Sequence, residues 1–128
     1  MSVNSERPDY VLFFNSLGGF SSVNHLHYQV MYTSSFYATA TSHPDPPLPS
    51  SFSPSKLPLE LATSEFLRKI GSIEMSVITD WLCQTVKLRF SGEGAYGHHD
   101  REVMAALTNI VIDMCYVKEI PYDVIFTK

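Results

Sequence analysis

Ser22-Val-Asn-His-Leu-His-Tyr-Gln-Val-Met-Tyr32 decides how the rest of the chain is read. The stretch is rich in Val, Tyr and Met, has no helix cap, and reads as a β-strand. Side chains alternate between the faces of a strand. His25, His27 and Gln29 would therefore project from one face with neighbouring Cα atoms roughly 6.6 Å apart. Asn24, Leu26, Tyr28 and Val30 would point the other way, and three of those four are apolar enough to pack inward. Two imidazoles and an amide in a row on a rigid element suit a site that needs defined geometry.

Upstream, Tyr10-Val-Leu-Phe-Phe14 is a wholly apolar run of β-formers and reads as a buried strand. Asn15-Ser-Leu-Gly-Gly19 carries turn residues and two glycines, so the two strands are expected to form an antiparallel hairpin. Residues 1–8 are a polar tail. Downstream, Thr33 to Lys56 is rich in proline and serine and has neither period, which predicts a long surface loop. Leu57 to Ile70 fits a helical stripe through Leu59, Ala62, Phe66 and Ile70, and also a strand through Leu57, Leu59 and Leu61. Ile73 to Leu82 predicts a short helix. In Gln84 to Phe90, Val86, Leu88 and Phe90 alternate with Lys87 and Arg89, the pattern of a half-buried strand.

Ser91 to His99 is a glycine-rich loop. Asp100 to Lys118 predicts the main helix, with Val103, Leu107, Ile110, Val111 and Met114 as a buried stripe, acidic residues at its start and Lys118 at its end. Pro121 stops it, and Tyr122 to Thr127 is a final strand. The expected fold is one α+β domain over residues 1–128. Its antiparallel sheet has about four strands, starting near Tyr10, Ser22, Gln84 and Tyr122, and carries the long helix on one face. A domain that stops on a strand reads as incomplete.

Composition narrows the function classes. Apolar residues make up 45% of the 128 and charged residues 17%, which is globular rather than disordered. The formal net charge is −4 and no run interleaves Lys or Arg with aromatics, which argues against nucleic acid as a partner. A small anion remains compatible, because backbone N–H groups hold phosphate without net positive charge. Cys83 and Cys115 lie in apolar runs outside any C-x-x-C pair and are expected to be buried free thiols in a reducing compartment. Residues 1–8 lack an apolar segment and no run reaches the roughly 20 residues that span a bilayer, so the expectation is a cytoplasmic protein away from membranes.

Neutral imidazole carries a nucleophilic nitrogen near pH 7. It can attack the α-phosphorus of a nucleotide and form a covalent phospho-histidine, splitting one displacement into two. The middle residue, His27, is best placed, since neighbours on both sides can contact phosphate oxygens. Ser16, Gly18, Gly19, Ser21 and Ser22 offer hydroxyls and N–H groups for the same oxygens. Two histidines at i and i+2 can also chelate Zn²⁺, so a zinc-binding domain through His25 and His27 is an open alternative. Gln is a poor zinc ligand, however, and no Cys, Asp or Glu lies nearby in sequence. His98, His99 and the loop residue His43 read as solvated, and nothing places Glu60 and Glu65 together as an acid/base pair.

The run Phe14-Asn-Ser-Leu-Gly-Gly-Phe-Ser-Ser-Val-Asn-His-Leu-His-Tyr-Gln29 resembles the active-site segment of the GDP-sugar phosphorylases of the histidine-triad superfamily, the GDP-D-glucose and GDP-L-galactose phosphorylases. That family's pattern is approximately F-N-S-L-G-[AG]-x-[AS]-[ST]-[IV]-N-H-L-H, then an aromatic or Leu, then Gln or His. Pro58-Leu-Glu-Leu-Ala-Thr63 is similar to the P-[LV]-E-x-A-[PS] segment that follows, which favours extended chain there. Trp81 to Gly92 is similar to the family's strand ending in a glycine turn.

The resemblance implies a histidine-triad-like fold and nucleotidyl transfer: GDP-hexose and inorganic phosphate give GDP and hexose 1-phosphate. It implies His27 as nucleophile. It also implies His25 and Gln29 on the phosphate oxygens and leaving group, and Asn15 and Ser22 contacting phosphate or orienting the histidine. No cofactor and no metal are implied. Two features depart from the family: the proline-rich loop of residues 33–56 is longer, and the family's large N-terminal half has no counterpart. The expectation is therefore a chain completed by homodimer formation or by a separate N-terminal half. The alternative is a non-catalytic remnant that binds a nucleotide or a partner.

Overall fold

The computed structural model describes residues 7, 9–19, 27–35, 56–92 and 96–127. The chain is α+β and divides into two compact units: Met1–Leu61 with Pro121–Lys128, and Ala62–Ile120. Each unit holds its own three-stranded antiparallel sheet, so the single sheet of about four strands expected from sequence is not what forms.

In the first unit, β1 (Tyr10–Asn15) lies between β2 (Gln29–Tyr32) and β6 (Asp123–Phe126). The β1–β2 register sets Tyr10 opposite Tyr32 and Phe13 opposite Gln29. The β1–β6 register sets Leu12 opposite Phe126 and Asn15 opposite Asp123. The expected strand from Ser22 is shorter among the described residues. Gln29 is its first strand residue, His27 and Tyr28 have no regular structure, and residues 22–26 lie outside the described set. Tyr28 and Val30 are more than half exposed rather than packed inward.

Only the first three residues of the predicted loop 33–56, and its last, Lys56, are described; residues 36–55, His43 included, lie outside. Thr33 to Ser35 are helical and Thr33 is buried, its N–H donating to the Asp9 carbonyl at 2.9 Å. Pro58–Leu61 forms a single helical turn, α1, where the family likeness favoured extended chain. Proline suits the first helical position, and the Glu60 carboxylate accepts the Leu57 N–H at 2.7 Å.

In the second unit, β3 (Ser64–Ile70), β4 (Ile73–Ile78) and β5 (Thr85–Phe90) run in that spatial order. Gly71 turns β3 into β4 at φ +57, a left-handed conformation that glycine adopts without a Cβ clash. β4 is the main correction. Ile73 to Leu82 was expected to be helical, yet Ile73–Ile78 is the central strand, paired on both edges. Hydrogen bonding to two neighbours outweighs the helix preference of Glu74 and Met75. Across β4 and β5, Glu74 faces Arg89 and the side chains pair at 2.8 Å.

The long helix α2 spans His98–Val117 and lies against β4. It starts two residues before the predicted position, because Asp100 reaches back to accept the Gly97 N–H at 2.9 Å and also receives the Ser72 hydroxyl. Those bonds hold the Asp100 carboxyl below its ordinary range, the Ser72 bond most of all. The helix ends as the Lys118 and Ile120 N–H groups return to the Met114 and Cys115 carbonyls, with Glu119 at φ +55.

The expected burial of the helix stripe does not occur. Val103, Leu107 and Val111 are half-buried, while Ile110 and Met114 are exposed. Nor are the cysteines buried: both are free thiols, Cys83 exposed and Cys115 half-buried. The buried apolar residues among those described are Val11, Ile73 and Ile78. No helix among the described residues is long and apolar enough to cross a membrane.

Candidate functional site

Strand β1 hands the chain to the turn Ser16-Leu-Gly-Gly19, and the turn is stitched to the start of β6. The Ser16 N–H donates to the Tyr122 carbonyl at 2.9 Å, and the Tyr122 N–H donates to the Ser16 hydroxyl oxygen at 2.8 Å. The Gly19 N–H closes the turn on the Ser16 carbonyl at 2.9 Å. Ser16 is buried by this pairing.

The two glycines are required for different reasons. Gly18 sits at φ +89, where a side chain would be strained. At Gly19 a Cβ would lie 2.8 Å from the Asp123 carboxylate and 3.0 Å from the Tyr122 carbonyl oxygen, so only glycine lets β6 approach.

Asn15 is the hub. Its Nδ2 donates to the Gly19 carbonyl at 3.2 Å and to Asp123 Oδ1 at 2.8 Å, and its Oδ1 accepts from Gln29 Nε2 at 2.9 Å. The register puts Gln29, Asn15 and Asp123 on one face of the sheet, one from each strand. Phe14 lies on the opposite face, its ring 5.7 Å from that of Tyr28 and 6.3 Å from that of Tyr122.

Of the residues singled out from sequence, the structure thus brings Asn15, Ser16, Gly18, Gly19 and Gln29 into one neighbourhood. His27 is half-buried and precedes β2 by two residues. His25, Ser21 and Ser22 lie outside the described residues. The role expected of the turn changes in one respect. The Ser16 and Gly19 N–H groups were expected to face phosphate oxygens, and here both are spent on backbone carbonyls.

Asp123 and Tyr122 were not anticipated as part of this neighbourhood. No local pattern marks them, because the Asn15–Asp123 bond joins residues 108 positions apart. Asn-Ser followed by two glycines announces a tight turn, and only the antiparallel register with the last strand shows what that turn is tight against.

A second polar cluster ties the start of β1 to the end of β2. Arg7 grips Asp9 with Nε and Nη2 at 2.9 and 2.8 Å, and the Ser34 hydroxyl donates to the same carboxylate. The Arg7 guanidinium lies 4.1 Å over the Tyr32 ring. The Arg7 bonds first, and the Ser34 bond next, hold the Asp9 carboxyl far below the usual carboxylate range. Its partners are internal and its carboxylate is buried, so this cluster is an anchor for the strand pair.

Among the described residues no three His, Cys, Asp or Glu side chains converge to hold a metal ion. His98 pairs loosely with Glu102 at 3.4 Å on the exposed surface of the helix.

Compared with protein-family models, with curated proteins and with solved structures, the chain matches none.

Proposed function

We propose that the chain is a nucleotidyltransferase of the GDP-sugar phosphorylase type, with His27 as the nucleophile. A ring nitrogen of His27 attacks the α-phosphorus of GDP-hexose. The bond from that phosphorus to the bridging oxygen breaks, hexose 1-phosphate leaves with the electron pair, and a guanylyl-histidine remains. Inorganic phosphate then attacks the same phosphorus and departs with it as GDP, restoring the imidazole. The covalent step is carried by histidine and uses no metal.

The observation that best supports this reading is the 2.9 Å bond from Gln29 to Asn15. It joins the two ends of the segment, Phe14 to Gln29, that resembles the phosphorylase motif. An amide tied in this way has a defined plane, as a group that must meet a developing charge requires.

The experiment is incubation with GDP-hexose labelled at the α-phosphate and no acceptor. Label should appear on His27, and His27→Ala should take none and turn nothing over. Gln29→Ala should slow labelling on the order of 10²–10³-fold, as for a lost oxyanion donor. Label on another residue, or normal turnover by His27→Ala, overturns the mechanism. A chelator should change nothing; if it unfolds the protein, the zinc reading through His25 and His27 replaces this one.

The second reading, a nucleotide-binding remnant without turnover, is favoured by the Ser16 and Gly19 N–H groups being spent on backbone carbonyls, of Tyr122 and Ser16. Binding of GDP with no label on the wild-type chain, alone or supplied with an N-terminal half, would establish it.

A further inference from the structure

We propose that Asp123 is a positioning residue that sets the orientation of the Gln29 amide through Asn15. The inference deepens the transferase reading, and only its activity readout rests on that reading.

The argument follows the hydrogen-bond inventory. A carboxylate can only accept, and a carbonyl oxygen can only accept. Asn15 meets one of each, Asp123 Oδ1 at 2.8 Å and the Gly19 carbonyl at 3.2 Å, with the same end of its amide. That end must be the NH₂. The opposite orientation would press a carbonyl oxygen against two acceptors, one of them charged. With the NH₂ committed, Oδ1 is the atom that faces Gln29, so Gln29 must answer with Nε2–H, as it does at 2.9 Å. One fixed charge thus decides the sense of two amides in series.

Two further observations support a built arrangement. Gly19 is the residue that makes room for Asp123, since any Cβ there would meet its carboxylate at 2.8 Å. β6 is also held by the Ser16–Tyr122 pair of bonds, so Asp123 is not needed merely to keep the strand in place.

The consequence is specific. Gln29 keeps Oε1 and one Nε2 hydrogen to offer, so it can give one hydrogen bond to an anionic oxygen and accept one from a hydroxyl or N–H. It cannot give two to a phosphate. A charge-terminated chain of this kind also polarises along its length, which strengthens Oε1 as an acceptor. The ligand group it suits carries a phosphate oxygen next to a hydroxyl, as a sugar phosphate does.

The test uses the full chain and nitrogen-15 resonances of the Asn15 and Gln29 side-chain amides. As the wild-type protein is acidified, both amide signals should move with the same midpoint as the Asp123 carboxyl carbon, because protonation removes the charge and adds a donor, so that the group no longer dictates which end of the Asn15 amide it meets. Asp123→Ala should shift the Gln29 amide signals and speed exchange of its hydrogens, and Asp123→Asn, the neutral isostere of the protonated acid, should reproduce the acid-state signals at every pH. With labelled GDP-hexose, Asp123→Ala should slow labelling of His27 on the order of 10-fold, the equivalent of one lost hydrogen bond, while affinity for GDP is little changed.

Gln29 signals that ignore both the Asp123 titration and Asp123→Ala overturn the proposal. The titration needs no variant, so it decides even if Asp123→Ala fails to fold. If the wild-type chain takes no label, the transferase reading fails and the resonances still decide the role of Asp123.

Discussion

In the sheet β3-β4-β5, successive strands are neighbours in both sequence and space, joined by short connections, and the central strand carries two of the buried residues, Ile73 and Ile78. In the sheet β2-β1-β6, the central strand pairs with one strand 14 residues on in sequence and another 108 residues on, and its side-chain ties are mostly polar: Arg7–Asp9–Ser34 at one end, Gln29–Asn15–Asp123 at the other. Its buried apolar side chain among the described residues is Val11. Apolar burial is non-directional and tolerates small shifts, whereas hydrogen bonds demand angle and distance. The polar sheet is thus where small substitutions change geometry, and the apolar sheet is where they change stability.

The largest effect that would break this contrast is at Ile73. Its side chain is fully buried, at 0% exposure, so Ile73→Ala should cost about 2–5 kcal/mol of the second unit's stability. Urea unfolding followed by helical circular dichroism reads it, since α2 belongs to that unit. Ile110→Ala, on the exposed part of the helix stripe, should cost within about 0.5 kcal/mol in the same measurement. Equal costs at the two positions would mean that β4 is not the core of this unit.

Gly19→Ala sharpens the comparison from the other side. The Asp123 carboxylate can swing away only by leaving Asn15, and the Tyr122 carbonyl is backbone, so the substitution should cost about 1–3 kcal/mol and loosen β6. Faster amide exchange confined to β1, β6 and the turn is the expected signature. Unchanged exchange there would show that the turn does not bear on the strand.

The smallest effect is that of pH. Asp9 has its carboxyl lowered by Arg7 and Ser34, so the stability it contributes is fully present above the ordinary Asp value of about 4. That contribution is lost as pH falls through the lowered native value. Arg7 is half exposed and water screens the pair, which keeps the effect small. Exchange of the β1–β2 amides should therefore accelerate only in strong acid, and Asp9→Asn should remove that dependence. Acceleration that begins well above pH 4 would assign the loss to another group.

Periodicity carried much of the fold. β1, β5, α2 and β6 lie within a few residues of where Tyr10–Phe14, the Val86/Leu88/Phe90 alternation, the Val103–Met114 stripe and Pro121 put them. Boundaries moved where a side chain caps an end, as Asp100 does for α2. β4 differs from the expected helix because Ile73, Glu74, Met75 and Ser76 satisfy a helix as readily as a strand, and only the partners on both edges decide between them.

The helix stripe shows that an apolar period states a preference for burial and not the presence of a partner. Among the candidate site residues, the turn is marked in sequence by Asn, Ser and two glycines, and Gln29 by its place on one strand face with His25 and His27. Asp123 was not, since its meaning comes from a partner at the far end of the chain.

That same pairing has a consequence for the order in which the molecule is made. Leu12 faces Phe126, so the central strand of one sheet leaves the ribosome well before the strand that completes it. In between, the whole of Ala62–Ile120 is synthesised, with strand pairings that close over short loops. Short closures are fast and long ones slow, because the entropy of joining distant ends must be met before any contact repays it. The nascent chain therefore carries an unsatisfied edge on β1 while Ala62–Ile120 is made, and the turn at Gly18–Gly19 is the seat that Tyr122 and Asp123 later fill.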